Sequence, residues 1–210
     1  MLENFSLQGE RVTLVPLGPQ HAAGLLAAAR LDPSLYRWTF APQTEREMAE
    51  YVETALAAQR AGTAVPFAIL RAADGLVIGS TRFFNLEFWA WPKDHPRFGR
   101  VAPDACEIGY TWLGATAIRT GANTEAKSLM LAHAFEQWKV VRVCLHTDAR
   151  NERSRAAMER IGCRFEGILY SHRLASDFTA RDSARYSIVA ADWPAVKDHL
   201  QRLRQKPGPG

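Results

Sequence analysis

The positions that could do chemistry lie between residues 107 and 166 of a 210-residue chain. Gly121 occupies a turn that leads directly into a helix beginning near Thr124. The exposed amides of such a turn, together with the N–H groups of the first helical turn that lack an intrahelical acceptor, can cradle phosphate oxygens, and glycine lets the backbone approach closely. A glycine before a helix serves equally as a plain turn or cap, and the run matches neither the GxGxxG dinucleotide fingerprint nor the GxxxxGK[ST] nucleotide loop. Glu107, opening an apolar strand, and Glu166, within FEG, are carboxylates able to accept a proton from a reacting group. On residue type alone each reads as readily as a structural or exposed side chain. Ser154 follows Asn151 by three residues in DARNERS, where local capping of a helix start is its ordinary use. His133 falls inside an apolar helix and reads as a satisfied core or interface residue. Cys106, Cys144 and Cys163 show no C-x-x-C spacing and no histidine relay, so they read as small buried hydrophobes, and the six histidines form no metal-ligand motif with them.

The elements around these residues follow from periodicity and punctuation. RVTLVPL at 11–17 reads as a strand, with Pro16 marking an edge or an end. Helices are expected at 19–31 and 44–61, the second started by a capping box of Thr44 and Glu47. VPFAILR at 65–71 and LVIGSTRFF at 76–84, separated by Ala73-Asp74-Gly75, form an expected hairpin. ACEIGYTWL at 105–113 is an apolar strand, and 124–138 shows helical spacing broad enough to pack on a sheet. A second strand and helix follow at 140–147 and 148–162, with Gly162 as terminator. An extended FEGILYSHRL, a last strand at 185–191 and a helix from Trp193 to Arg204 complete the order. Strand, two helices, hairpin, strand, helix, strand, helix and closing strands describe a mixed α/β sheet in one domain over 1–206, with 207–210 as a flexible tail.

Composition narrows the function classes. Hydrophobic residues make up 47%, enough for a sizeable core. The net charge of +4 is mild and not gathered in a basic run, which argues against a nucleic-acid partner and suits a polyanionic cofactor. MLENFSLQGERVTLVPL has no charged end followed by an apolar signal region and no membrane-spanning length, and the cysteine usage fits a reduced compartment, so a cytoplasmic setting without membrane association is expected.

EIGYTWL, RTGANTEAK, LMLAHAFE, VRVCLHTDARNERSRAAMERIG and FEGILYSH, in that order, resemble the GCN5-related N-acetyltransferase (GNAT) superfamily, in particular its ribosomal-protein N-terminal acetyltransferase-like (RimJ/RimL) branch. The resemblance covers most of 76–190 and extends weakly to GERVTLVPL. It implies an acyl-CoA N-acyltransferase fold in which a parallel pair of central strands splays apart to admit the pantetheine of acetyl-CoA. Carried over, the strand with Ile108 and Tyr110 offers backbone to the pantetheine, while Gly121, Ala122, Asn123 and Thr124 line the pyrophosphate turn. The family pattern [RQ]xxGx[GA] meets Ile118 and Asn123 at its ends, a departure that leaves Gly121 in place, and Arg119 stands one position over, either on a phosphate or in solvent. Asn151 maps to the residue that contacts pantetheine or orders its loop. Ser154 maps to the candidate acid for the departing thiolate, and Glu107 and Glu166 map to two alternative general bases.

The resemblance favours transfer of acetyl to a protein or peptide N-terminal α-amine by direct attack in a ternary complex, with a small-molecule amine as the alternative acceptor and a noncatalytic acyl-CoA sensor or protein-interaction module as the competing class. The aromatic, proline-rich run 85–104 can wall the acceptor opening, form a homodimer contact or pack as a surface loop.

Overall fold

A computed structural model describes residues 4–205, so the expected tail at 207–210 lies outside the described residues. An eight-stranded sheet has the order β1-β2-β3-β4-β5-β6-β8-β7, with β1 at Leu7–Gln8, β2 at Val12–Pro16, β3 at Ala64–Arg71, β4 at Val77–Glu87, β5 at Ala105–Leu113, β6 at Arg142–Asp148, β7 at Arg164–Leu174 and β8 at Ala180–Val189. Five helices flank it: α1 at Ala22–Arg30, α2 at Glu45–Arg60, α3 at Ala122–Ala132, α4 at Glu152–Arg160 and α5 at Trp193–Gln205. The expected α/β architecture is present. The short β1 is an addition, and Pro16 closes β2, where the missing N–H costs no interior ladder bond.

Two apolar layers sandwich the sheet. Leu25, Leu26, Met48, Tyr51 and Val52 of α1 and α2 pack on one face with Trp112. Ala126, Met130 and Leu131 of α3, with Trp193, Val196 and Leu200 of α5, pack on the other with Phe67, Phe83 and Ile108. Alternation along each strand sends consecutive side chains to opposite layers. Thr44 and Glu47 cap α2 reciprocally: the Glu47 amide donates to Thr44 Oγ1 at 3.2 Å and the Thr44 amide to Glu47 Oε2 at 3.1 Å.

β5 and β6 are parallel neighbours, paired only over Ala105–Glu107 and Arg142–Cys144. Beyond Glu107, β5 stays with β4 as far as Leu113 and β6 stays with β8 as far as Asp148, so the two part company. A bulge steers β5 away: Ser80 pairs with Trp112 and Arg82 with Gly109, leaving an extra residue on β5. Tyr110 lies in this extra stretch and adopts φ 51°. A bulge bends its strand and sharpens the local twist.

His133 sits in a π-helical turn that extends α3, stacked on Phe5 with ring centroids 3.9 Å apart. It belongs to the core as expected but is not satisfied, since its Nε2 has no hydrogen-bond partner among the described residues. Burial pushes its pKa down to about 4, which leaves the ring neutral at pH 7.

The segment 88–104 folds onto the buried carboxylate of Asp104, which accepts from the Trp89 amide and Trp91 Nε1, both at 2.9 Å, and from Arg97 Nη1 at 3.2 Å. None of 85–104 lines the cavity described below.

Candidate active site

A cavity of about 1370 Å³ opens where β5 and β6 separate. At one end it meets the start of α3, where Gly121 adopts φ 85°, a left-handed conformation that favours glycine. Asn123 and Thr124 line the cavity there, and their amides belong to the first turn, which has no intrahelical acceptors. Ala122 is buried against the core, so it can offer only its backbone. Arg119 lines the same end and is exposed, as is Arg160, whose Nη2 donates to Thr124 Oγ1 at 2.9 Å. Arg11 also faces this end. A left-handed glycine, free first-turn amides and three guanidinium groups fit a diphosphate, and the open edge of β5 from Ile108 onward fits an extended amide-bearing arm.

Lys127, one turn further along α3, is buried on the cavity wall and donates to Thr111 Oγ1 at 2.5 Å and Thr81 Oγ1 at 3.4 Å. Burial without a carboxylate partner pushes its pKa down to about 7 from an ordinary 10.5. Between those values the unfolded chain holds the extra proton, so this lysine makes stability rise with pH across that window. Urea midpoints of the parent and Lys127→Met, measured from pH 6 to 10, are expected to show the parent gaining on the variant above pH 7. A constant difference would contradict the assignment.

The opposite end carries the proton-transfer candidates. Glu107 accepts from Asn85 Nδ2 and is bonded to His146 Nδ1, each at 2.9 Å, and Arg173 Nη2 stands 3.7 Å away. Burial pushes the Glu107 pKa up, but the hydrogen bonds from His146 and Asn85 and the nearby positive charges outweigh it, so the net shift is downward and the group is ionised. An ionised Glu107 requires His146 to present N–H at Nδ1, so in the neutral ring the lone pair sits on Nε2. The His146 side chain is 5% exposed, and Nε2 has no hydrogen-bond partner among the described residues. His146 lines the cavity, whereas Glu107 stands behind it. His172 lies beside this pair, its ring centroid 5.2 Å from that of His146.

Glu166 is elsewhere. Its carboxylate is bound by Arg142, by Ser187 Oγ at 2.7 Å and by Arg185 Nε at 3.2 Å, and it does not line the cavity. Asn151 and Ser154 do line it, at the N-terminus of α4, where Asn151 Oδ1 accepts from the Ser154 amide at 3.0 Å. The Ser154 hydroxyl is thus free of the capping duty, which Asn151 performs. Tyr110 lines the cavity half-exposed.

The structure therefore brings Glu107, Ser154, Asn151, Ile108, Tyr110, Arg119 and the Gly121–Thr124 turn to one cavity or its wall and leaves Glu166 outside. His146, Lys127 and Arg82 were not among the sequence candidates. Alternation in RVCLHTD places Cys144 and His146 on one face, but only the parallel register, in which Glu107 pairs with Cys144, makes His146 a neighbour of Glu107.

A family model described as the acetyltransferase (GNAT) domain matches residues 11–164. The fold is similar to a GCN5-related N-acetyltransferase from Brucella melitensis at 28% identity, covering 96% of this chain and 86% of the other, with a TM-score of 0.79. It is also similar to Mycobacterium smegmatis RimJ in complex with CoA-disulfide, at 21% identity, 98% coverage of both chains and a TM-score of 0.78. A third likeness is to RimL, a ribosomal L7/L12 alpha-N-protein acetyltransferase, at 15% identity, covering 90% of this chain and 96% of the other, with a TM-score of 0.72. No curated protein matches the sequence.

Proposed function

The chain belongs to the acetyltransferase (GNAT) domain family and is an enzyme that moves acetyl from acetyl-CoA to an amine; from that premise we propose that the acceptor is the α-amine at a protein or peptide N terminus. The observation that carries this reading is the mouth of the cavity, where Phe40, Leu174 and Phe178 line the opening while remaining 58%, 68% and 84% exposed. An open apolar rim accommodates a chain that continues outward from its terminal amine. The folds of RimJ and RimL, the latter described as acting on a protein α-amine, support the same direction.

When bound, acetyl-CoA supplies the activated acetyl group, its C–S bond breaking as the acceptor's C–N bond forms. The Gly121–Thr124 turn would hold the diphosphate with Arg11, Arg119 and Arg160, and the free edge of β5 at Ile108 and Tyr110 would align the pantetheine arm. His146 Nε2 takes the proton released by the amine, and Glu107 keeps the resulting imidazolium oriented through Nδ1. Ser154 donates a proton toward the departing thiolate from the turn that Asn151 orders. Glu166 serves to tie β6, β7 and β8 together through Arg142, Arg185 and Ser187.

A thiol-release screen with acetyl-CoA against peptide N termini, free amino acids, polyamines and aminoglycosides, followed by mass measurement of the products, tests the reading. Acetylated peptide α-amines are the expected product. Turnover confined to polyamines or aminoglycosides would replace it with a small-amine enzyme, and stoichiometric cofactor binding without any turnover would replace it with a sensor.

A further inference from the structure

Arg82 lies on β4 and is 5% exposed, yet it has no ion-pair partner among the described residues, and its Nε is buried without a hydrogen bond. Its guanidinium carbon stacks 4.0 Å from the Tyr110 ring centroid and 5.2 Å from that of Tyr51. Aromatic faces relieve part of the cost of burying a cation but cannot replace a counter-ion. Arg82 borders the cavity, so the missing anion can arrive with a ligand.

Its surroundings are unbalanced in the same sense. Tyr110 packs on Phe84 with centroids 5.0 Å apart, and Arg173 lies 5.5 Å over the Phe84 ring. Arg181, on β8, lines the cavity and lies close enough to Arg173 for its charge to act on it. Against these three cations the cluster offers Glu107, which is already engaged by His146 and Asn85 and stands 3.7 Å from Arg173 Nη2. Of the other acids around the cavity, Asp148 is held by two nitrogens of Arg150 at 2.8 and 2.9 Å, Glu47 accepts from the Gln43 and Thr44 amides, and Glu50 is exposed.

The missing anion is not the diphosphate of the cofactor. Strand alternation sends Thr81 toward α3, where it meets Lys127, and sends Arg82 to the other face, against Tyr51 of α2. Arg82 therefore stands across the sheet from the α3 turn, on the face that carries Glu107 and Tyr110.

We propose that Arg82, flanked by Arg173 and Arg181, seats a carboxylate belonging to the acceptor, so that the enzyme acts on amino-carboxylates. This rests on the acetyl-transfer reading of the same cavity. The carboxylate has two possible sources with one chemistry: the α-carboxylate of a free amino acid, or an acidic side chain next to a peptide's terminal amine. A planar guanidinium packed against aromatic rings keeps its N–H edge for a partner, and that edge recognises a carboxylate through paired hydrogen bonds.

Matched acceptors that differ only in this group test the proposal: free amino acids against their carboxamides, and peptides with Asp against Asn at the second position. In at least one arm kcat/KM is expected to favour the carboxylate by about tenfold or more, because a site built to pair a charged group rejects the analogue lacking it. The arm in which the preference appears identifies the source. Arg82→Gln is expected to bring that ratio close to one, and Arg82→Lys, which keeps charge but not the fork, to leave it in between. Equal rates for both members in both arms, or a preference that survives in Arg82→Gln, overturns the proposal. Calorimetry of CoA-loaded protein with N-acetyl amino acids and N-acetyl-Asp peptides, against their amides, gives a second readout. If no acceptor turns over, selective carboxylate binding still sustains the inference while the acetyl-transfer reading falls, and its absence overturns the inference.

Discussion

His146→Ala is expected to lower kcat by about 10²- to 10⁴-fold, the range contributed by a positioned general base, with acetyl-CoA affinity changed little. The reasoning is geometric. His146 borders the cavity with a buried, unpartnered Nε2, while its Nδ1 is 2.9 Å from a Glu107 carboxylate held in the ionised form. Glu107→Gln separates the two roles. It leaves a side chain of the same shape behind His146 but removes the charge that stabilises the imidazolium formed in the reaction, so kcat is expected to drop with acetyl-CoA affinity kept. A Glu107→Gln enzyme with the parental kcat, or a fully active His146→Ala, would show that the proton leaves by another route. Glu166→Gln supplies the contrast. Its carboxylate is committed to Arg142, Arg185 and Ser187, so the loss is expected in thermal stability with the pH profile unmoved. A shifted profile in that variant would return the base to Glu166.

Glu125→Ala is expected to destabilise the protein by about 3 to 5 kcal/mol, the cost of removing one partner from a buried charged network. Glu125 is 1% exposed on α3 and accepts from the backbone amides of Glu10, Arg11 and Val12 at 3.2, 2.6 and 2.9 Å. It also receives Arg204 Nη2 at 2.8 Å, joining α3 to the start of β2 and to α5. Truncation strands the buried Val12 N–H, two part-buried N–H groups and a guanidinium at once. In a domain of this length the loss corresponds to a fall in Tm on the order of 10 °C, readable by calorimetry. Because the same contacts hold Arg11 beside the α3 turn, the variant is also expected to bind CoA more weakly at temperatures where it remains folded. A Tm within two or three degrees of the parent would mean that water or repacking replaces the network.

Much of this architecture was legible beforehand, because local rules and the tertiary outcome agree. The Thr44 and Glu47 spacing, the turn between β3 and β4, and the glycine before α3 are decided within a few residues by capping and backbone sterics. Glu125 shows the limit. In RTGANTEAK it looks like an ordinary first-turn acid suited to the helix dipole, yet its partners lie 113 to 115 residues earlier and 79 later. The aromatic run 85–104 leaves acceptor wall, homodimer contact and packed surface loop open on residue type alone, and the tertiary structure folds its tryptophans onto Asp104.

The sequence alone determined the order of elements, the amphipathic faces that sandwich the sheet, and the turn at Gly121, since each depends on periodicity or on conformations that few residues adopt. Which side chains share the cavity was decided only in three dimensions. The bulge at Tyr110 steers β5 from β6, the parallel register sets His146 beside Glu107, and alternation on β4 turns Arg82 away from α3. These are non-local pairings, and a one-residue slip in register would send every one of those side chains to the other face.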